Sequence, residues 1–125
     1  MTAGSNPQRT MNELRIEIFR PPYFFRGERP VIGKCPNEVQ YGKPFEIETS
    51  DAETIREICL IRPTVTTHCV NTEQRYVGLE FSKLIPNTLQ TSIPSNMNLA
   101  PLGYYMLFVI NEDRVPSIAH FAHLS

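Results

Sequence analysis

Short stretches in which apolar and polar residues alternate recur along this chain of 125 residues. A period of two places every second side chain on one face of a β-strand, so the pattern predicts strands that are buried on one face. Four stretches show it, at residues 14–18, 45–49, 77–81 and 89–93. Two others, 58–61 and 104–110, are apolar throughout and predict central strands, covered on both sides or in the middle of a sandwich.

Turn-forming residues separate these stretches, and the 11 prolines lie between the apolar runs. The segment 111–114 predicts a turn before a last strand over about 117–124. Helical patterns are weak, with one short turn at 50–53. About seven short strands separated by Pro and Gly turns favour an all-β antiparallel sandwich. We therefore assign residues 13–125 to the sandwich and interpret 1–12 as a linker or the tail of a preceding domain.

The composition is that of a soluble globular domain, with 41% hydrophobic and 20% charged residues. A net charge of −1 provides no basic field that would attract nucleic acid or anionic lipid, so neither partner is expected. The longest apolar run, 104–110, is far shorter than the roughly 20 residues that span a bilayer. No membrane segment is predicted, and the polar N-terminus shows no signal peptide.

Three cysteines, Cys35, Cys59 and Cys69, occur without a C-x-x-C pair, which argues against a zinc knuckle or a thioredoxin motif. Because three is an odd number, at least one thiol stays unpaired within the chain. Cys59 lies in an apolar run, so we expect it to be a small buried hydrophobic residue.

His68 is the candidate for metal chemistry. It lies in the polar stretch 66–75, which follows a buried strand, and functional sites are often found on loops at such sheet ends. A neutral imidazole nitrogen is a good ligand for copper or zinc. One histidine cannot hold a metal alone, since about four ligands are usual. The alternative is a surface histidine that hydrogen-bonds to nearby backbone.

The other histidines are expected to be structural. His120 and His123 are three residues apart, which places their side chains on opposite faces of a regular strand. The adjacent pair His68 and Cys69 diverges in the same way if its segment is extended. That divergence argues against a nucleophilic Cys–His site.

Three separated motifs carry a family resemblance. They are Phe19-Arg20-Pro21-Pro22-Tyr23-Phe24 with Arg29-Pro30; Leu60-Ile61-Arg62-Pro63 through Thr67-His68-Cys69-Val70-Asn71-Thr72-Glu73-Gln74-Arg75; and Ala100-Pro101-Leu102-Gly103-Tyr104-Tyr105-Met106-Leu107-Phe108-Val109 with Val115-Pro116-Ser117. In this order they resemble the C-terminal early-set domain of the radical copper oxidases, the galactose oxidase and glyoxal oxidase family. Residues 4–7 also resemble the segment that closes the kelch propeller preceding this domain in the family.

The resemblance implies an immunoglobulin-like early-set fold and a share in a copper site. In this family a seven-bladed propeller carries a cysteine-crosslinked tyrosine radical, a second tyrosine and one histidine. The C-terminal domain sends a loop with another histidine into the propeller channel. By motif alignment, His68 takes the place of that histidine as a copper ligand. Gln74 and Arg75 match the motif as groups that orient the loop around the ligand or anchor it structurally.

The implied reaction is oxidation of an alcohol or aldehyde, with reduction of oxygen to hydrogen peroxide. This chain holds none of the propeller ligands, so we expect it to be inactive and to bind copper weakly when alone. The family also implies a kelch propeller as partner and a secreted protein. Cys69 is an unusual neighbour for a peroxide-forming centre, because its thiol is oxidisable. The alternative function is a non-catalytic, immunoglobulin-like binding or spacer module.

Overall fold

The computed structural model describes residues 18–68, 70–84 and 86–125, and these residues form a β-sandwich. A short 3-10 helix at Pro22–Phe25 precedes the strands. The strands are β1 (Glu38–Val39), β2 (Pro44–Glu48), β3 (Ile55–Ile61), β4 (Thr66–Thr67), β5 (Val70–Asn71), β6 (Tyr76–Leu79), β7 (Phe81–Leu84), β8 (Thr88–Ser92), β9 (Gly103–Asn111) and β10 (His120–Leu124). Within the described part of the chain, no helix is long and apolar enough to cross a membrane.

The strands form two sheets and a ribbon. The larger sheet has the order β1-β10-β9-β3-β6, and the smaller sheet has the order β2-β8-β7. Strands β4 and β5 pair only with each other among the described residues. All strand pairs are antiparallel except β1 with β10, which is parallel. The predicted all-β, immunoglobulin-like sandwich is confirmed.

The hydrophobic core lies between the two sheets. On β9, Leu107 and Val109 point inward and are fully buried, and Ile58 on β3 lies opposite Val109. The smaller sheet covers them with Ile47 and Leu89, which pair across β2 and β8. Full burial of each such side chain contributes about 1.5–3 kcal/mol. The predicted alternation at 45–49 and 89–93 therefore identifies the core positions of the smaller sheet.

The apolar stretch 104–110 forms a central strand, as predicted, but its two faces differ. The inner face is buried, whereas on the outer face Tyr104 is exposed and Met106 and Phe108 are half-buried. On the neighbouring strand β3, Cys59 lies beside Phe108 and is fully buried, as predicted. The outer face of the larger sheet is thus an incompletely covered apolar surface within the described residues.

The stretch 77–81, predicted as one strand, is two. Strand β6 ends at Leu79 in the larger sheet, and β7 begins at Phe81 in the smaller one. Glu80 carries the chain from one sheet to the other, and its carbonyl accepts a hydrogen bond of 2.7 Å from the Thr91 hydroxyl. The bond gives the Glu80 carbonyl a partner at the point where the chain passes from the larger sheet to the smaller one.

The last strand begins later than predicted, at His120. The residues before it are held by an isolated antiparallel bridge between Ile110 and Pro116 and by side-chain bonds. The Val109 amide donates to the buried Ser117 hydroxyl at 3.2 Å, and the Arg29 guanidinium donates to the carbonyls of Pro116 and Ser117. These bonds order the connection before the last strand begins.

The predictions nearest the N-terminus fall mostly on undescribed residues. Of the predicted strand 14–18, only Ile18 is described, and it is exposed and outside any strand. Residues 1–12, interpreted as a linker or the tail of a preceding domain, lie outside the described residues, as does the propeller-like segment 4–7.

Candidate functional site

His68 lies at the apex of a long β-hairpin. The arms of this hairpin begin in the larger sheet as β3 and β6, where Ile61 lies opposite Tyr76. They continue as the ribbon β4–β5, where Thr66 lies opposite Asn71. Ile61 lies seven residues before position 68 and Tyr76 lies seven residues after position 69, and Thr66 and Asn71 lie two residues from the same positions. Both pairs are thus centred between positions 68 and 69, so the ribbon keeps the register of the sheet. We call the segment 62–75 the apical hairpin.

The apical hairpin carries His68 beyond the end of the sheet. The arm that runs from the end of β3, at residue 61, to the end of β4 comprises the six residues 62–67. At about 3.3 Å per residue, an extended arm of this length reaches roughly 20 Å. Backbone bonds join the arms along the way, from the Arg62 amide to the Arg75 carbonyl and from the Thr72 amide to the Val65 carbonyl, each 3.1 Å.

The His68 side chain is exposed, and the residue has a φ of +50°. Positive φ values are typical of two-residue hairpin turns, and histidine is one of the non-glycine residues that adopt them more often than most. The ring nitrogen Nδ1 lies 2.8 Å from the hydroxyl Oγ1 of Thr67. That contact engages Nδ1, and Nε2 is available to a ligand in the tautomer that carries its proton on Nδ1.

Arg62 and Glu73 hold the base of the apical hairpin together. Arg62 Nε lies 2.7 Å from Glu73 Oε2, and the two side chains are 25% and 40% exposed. The Arg62 guanidinium also lies over the ring of the buried Tyr105, 5.8 Å from its centroid. Burial raises the pKa of Tyr105, opposed by the charge and hydrogen bond of Arg62, and its hydroxyl donates to the Pro101 carbonyl at 2.7 Å. The hairpin is therefore tied to the core.

Arg75 anchors the same base to the loop that precedes β9. Its Nη1 donates to the carbonyls of Asn98, at 2.7 Å, and Leu99, at 3.0 Å. Gln74 lies beside it and is exposed. Both residues stand at the opposite end of the arm from His68, so Arg75 acts on the orientation of the hairpin, not directly on the imidazole.

The other two histidines lie on opposite faces of β10, as predicted. His120 is opposite Leu107 on the inner side, and its Nε2 is buried without a hydrogen-bond partner among the described residues. His123 is opposite Tyr104 on the outer face, and the two ring centroids are 4.7 Å apart. The two histidines cannot share a ligand.

The two described cysteines, Cys35 and Cys59, are free and buried. Burial raises the pKa of the Cys35 thiol to about 12. Burial, with a smaller contribution from the charge of Glu57, raises the pKa of the Cys59 thiol to about 11. Neither is a reactive thiolate near neutral pH. Cys69, and with it the Cys–His pair considered from the sequence, lies outside the described residues.

His68 stands apart from other metal-binding side chains of the described residues. Among the described residues, no group of three or more His, Cys, Asp or Glu side chains could hold a metal ion. An exposed imidazole whose Nδ1 is hydrogen-bonded and whose Nε2 is available suits a borderline metal such as copper. The donor set fits one ligand of a copper site whose other ligands come from elsewhere.

Three residues of this region were not predicted from the sequence: Thr67, Arg62 and Glu73. The sequence contains a signal for the ion pair, because opposite charges stand at similar distances on either side of His68. The ion pair can be recognised from these charges only after the turn has been placed at His68. The stretch 66–75 was predicted as a loop, so its cross-strand neighbours were not considered.

Known proteins match the chain along most of its length. The family described as "Galactose oxidase-like, Early set domain" matches residues 29–124. The aldehyde oxidase GLOX of Vitis pseudoreticulata is 33% identical over 142 residues, covering 99% of this chain and 27% of that protein. The galactose oxidase of Gibberella zeae is 34% identical over 116 residues, covering 88% of this chain and 17% of that protein.

A solved structure matches as well. It is a fungal alcohol oxidase of the AA5 family in complex with copper, with a TM-score of 0.78 and 34% identity over 84% of this chain and 23% of that one. The chain therefore spans only 17% to 27% of the length of these relatives.

Proposed function

Because the chain belongs to the galactose oxidase-like early-set domain family, we propose that it is the C-terminal domain of a copper-radical oxidase-like protein and donates His68 as one copper ligand. The observation that carries the proposal is the position of His68, exposed at the apex of a hairpin that extends beyond the sheet. A histidine held in the β-core or against the sheet could not reach a neighbouring domain.

In such a shared site a copper ion would accept one electron in the oxidation of an alcohol or aldehyde, and the tyrosine radical of the proposed propeller would accept the other, with oxygen then reduced to hydrogen peroxide. This chain contributes one imidazole nitrogen, and the Arg62–Glu73 pair with the Arg75 bonds sets the direction of the arm that carries it. Gln74, beside Arg75, belongs to the same anchoring region. The remaining ligands and the substrate-binding face belong to the partner domain, which we propose to be a kelch propeller. Alone, the chain is inactive.

Exposed apolar side chains near the apical hairpin support the partner-domain proposal. Val65 and Val70 are exposed on the hairpin, and Leu99 and Leu102 are exposed in the loop before β9. The bond from Arg75 to the Leu99 carbonyl holds this loop against the hairpin base. Exposed apolar patches of this kind mark protein contact sites. The end of the sandwich that carries His68 is thus suited to docking.

The test uses the longer protein that contains this chain. We compare its copper content and its hydrogen peroxide production from alcohols and aldehydes with those of His68→Ala and His123→Ala. His123 is the matched control, since it is a histidine on β10 whose ring packs against Tyr104 and which lies on a different element. We expect His68→Ala to lose copper and peroxide production, and His123→Ala to keep both. Full copper retention and peroxide production in His68→Ala would overturn the proposal.

The isolated chain offers a second test. We expect weak Cu(II) binding that decreases further in His68→Ala, because one imidazole provides a single ligand. Tight, stoichiometric binding to both forms would remove His68 from the site.

The relatives named as oxidases, at 33% and 34% identity, favour this role over a non-catalytic spacer module. We also propose that the longer protein is secreted, as the family resemblance implies. Fractionation of the source organism tests this proposal. We expect the protein in the culture medium, and its retention in the cells would contradict secretion.

A further inference from the structure

We propose that Thr67 is a positioning residue whose hydroxyl holds Nδ1 of His68 and leaves Nε2 as the atom offered to copper. This inference rests on the proposed copper role of His68. Its basis is the 2.8 Å separation of Thr67 Oγ1 and His68 Nδ1 at the apex of the hairpin, where both side chains are exposed. An exposed imidazole without such a contact would sample several rotamers, and ordering it would cost free energy on binding.

The chemistry of imidazole makes the contact directional. A neutral ring has one nitrogen that donates and one that accepts, and the partner of one nitrogen decides the state of the other. When Nδ1–H donates to the Thr67 hydroxyl, the lone pair of Nε2 is available to a metal. Metal-ligating histidines usually donate their second ring N–H to an oxygen in this way, which fixes the ring orientation and raises its basicity.

The backbone limits the choice of residue that could hold the ring. His68 is held at a φ of +50°, which fixes the direction of its Cα–Cβ bond relative to the arm. Thr67 pairs with Val70 in the ribbon, and Thr66 pairs with Asn71 one step before it. Since neighbouring residues of a strand point to opposite faces, the hydroxyl of Thr66 lies on the other side of the ribbon. Thr66 is therefore a matched control.

The first experiment measures the order of the His68 ring in the metal-free chain by NMR, from rotamer-dependent couplings and from contacts between the ring protons and residue 67. We expect one dominant rotamer in the wild type, in Thr67→Ser and in Thr66→Val. Thr67→Val keeps the size and β-branching of threonine but lacks the hydroxyl, so we expect averaged couplings. A single rotamer in Thr67→Val, or averaging in the wild type, would overturn the proposal.

The second experiment measures Cu(II) affinity in the longer protein with the same variants. Loss of a hydrogen-bond partner of a ligating histidine lowers metal affinity by about 10–100-fold, and we expect a loss of this size in Thr67→Val but not in Thr67→Ser. Equal losses in both variants, or none in Thr67→Val, would contradict the role of the hydroxyl. If His68→Ala binds Cu(II) as well as the wild type, the proposed function fails, whereas the ring order still tests the Thr67 contact.

Discussion

Arg62 Nε lies 2.7 Å from Glu73 Oε2, and this ion pair joins the two arms of the apical hairpin. The Arg62 amide bonds to the Arg75 carbonyl, so Glu73 is displaced from the direct pairing position by two residues toward the apex. Long side chains reach such diagonal neighbours across a β-ribbon. Because both side chains are partly shielded from water, the pair is screened less than a fully exposed one.

Glu73→Gln is expected to loosen the apical hairpin without unfolding the sandwich. Removing the charge weakens the link between the arms, so amide exchange at Thr72 should accelerate while the free energy of unfolding falls by only about 0.5–1 kcal/mol. Hydrogen exchange and urea denaturation measure the two effects. Glu48→Gln is the control, since its partner Lys34 is 3.6 Å away and both side chains are exposed. Unchanged exchange at Thr72 in Glu73→Gln would contradict the prediction.

Tyr105→Phe is expected to destabilise the base of the hairpin and the core below it. The hydroxyl of this buried residue donates to the Pro101 carbonyl at 2.7 Å, and its removal leaves that carbonyl without its partner. The expected loss is about 1–3 kcal/mol in the free energy of unfolding. Tyr104→Phe, at the exposed position that precedes Tyr105, should change the stability little. Chemical denaturation measures the free energy of unfolding of both variants. Equal values for Tyr105→Phe and Tyr104→Phe would refute the role of the Tyr105–Pro101 hydrogen bond.

The alternation of apolar residues identified β2 and β8, which line the core, and the two stretches that are apolar throughout identified the central strands β3 and β9. The alternation failed at 77–81 because β6 and β7 lie in different sheets that enclose the same core. Val77, Leu79 and Phe81 all contact that core, so the alternation continues across the change of sheet at Glu80. A period of two in the sequence shows which side chains are buried, but it does not show which of the two sheets those residues join.

The apical hairpin was predicted as a polar loop because both of its arms are largely exposed. A strand without a buried face shows no apolar alternation in its sequence. Such a strand is recognised only from its backbone pairing in the structure. His68 was assigned from the family resemblance, since its residue type alone left the surface alternative open. The Arg62–Glu73 pair depends on which residues lie across the ribbon, which the sequence does not specify until the turn is located.

Stability is expected to fall at alkaline pH through the buried thiols. Burial raises the pKa of Cys59 to about 11 and that of Cys35 to about 12, from an ordinary value of 9.0. Above pH 9 the unfolded chain releases thiol protons that the folded chain retains. The contribution to stability is therefore complete below about pH 9 and is lost as the pH rises to about 11 for Cys59 and about 12 for Cys35. Urea denaturation at pH 7.5, 9 and 10.5 measures this loss.

The control for the alkaline effect is the double variant Cys35→Ala, Cys59→Ala. It should be less stable at pH 7.5, because each substitution removes buried volume. Its decrease between pH 9 and 10.5 should nevertheless be smaller than that of the wild type, since the two buried thiols are gone. Parallel decreases in the two proteins would show that the thiols do not contribute.

Charged residues near the apical hairpin are expected to weaken docking of the partner domain. Leu99→Asp and Leu102→Asp each place a carboxylate on the proposed contact surface, where its desolvation opposes binding. We expect at least about tenfold weaker association with the rest of the longer protein, measured by calorimetry with the two parts produced separately. Ile118→Asp is the control, since this exposed residue lies in the connection between β9 and β10. An equal loss in Ile118→Asp would exclude a localised surface.

The shared register of the sheet and the apical hairpin constrains how such a domain can change in evolution. One residue inserted into a single arm would shift its pairing, turn its side chains to the other face and displace the imidazole from the tip. Viable length changes must therefore come in matched steps on both arms. Adding or removing two residues in each arm keeps the side chains on their original faces and changes the length of the hairpin by about 7 Å. The reach of the hairpin can therefore change only in steps of two residues per arm if His68 is to keep its orientation.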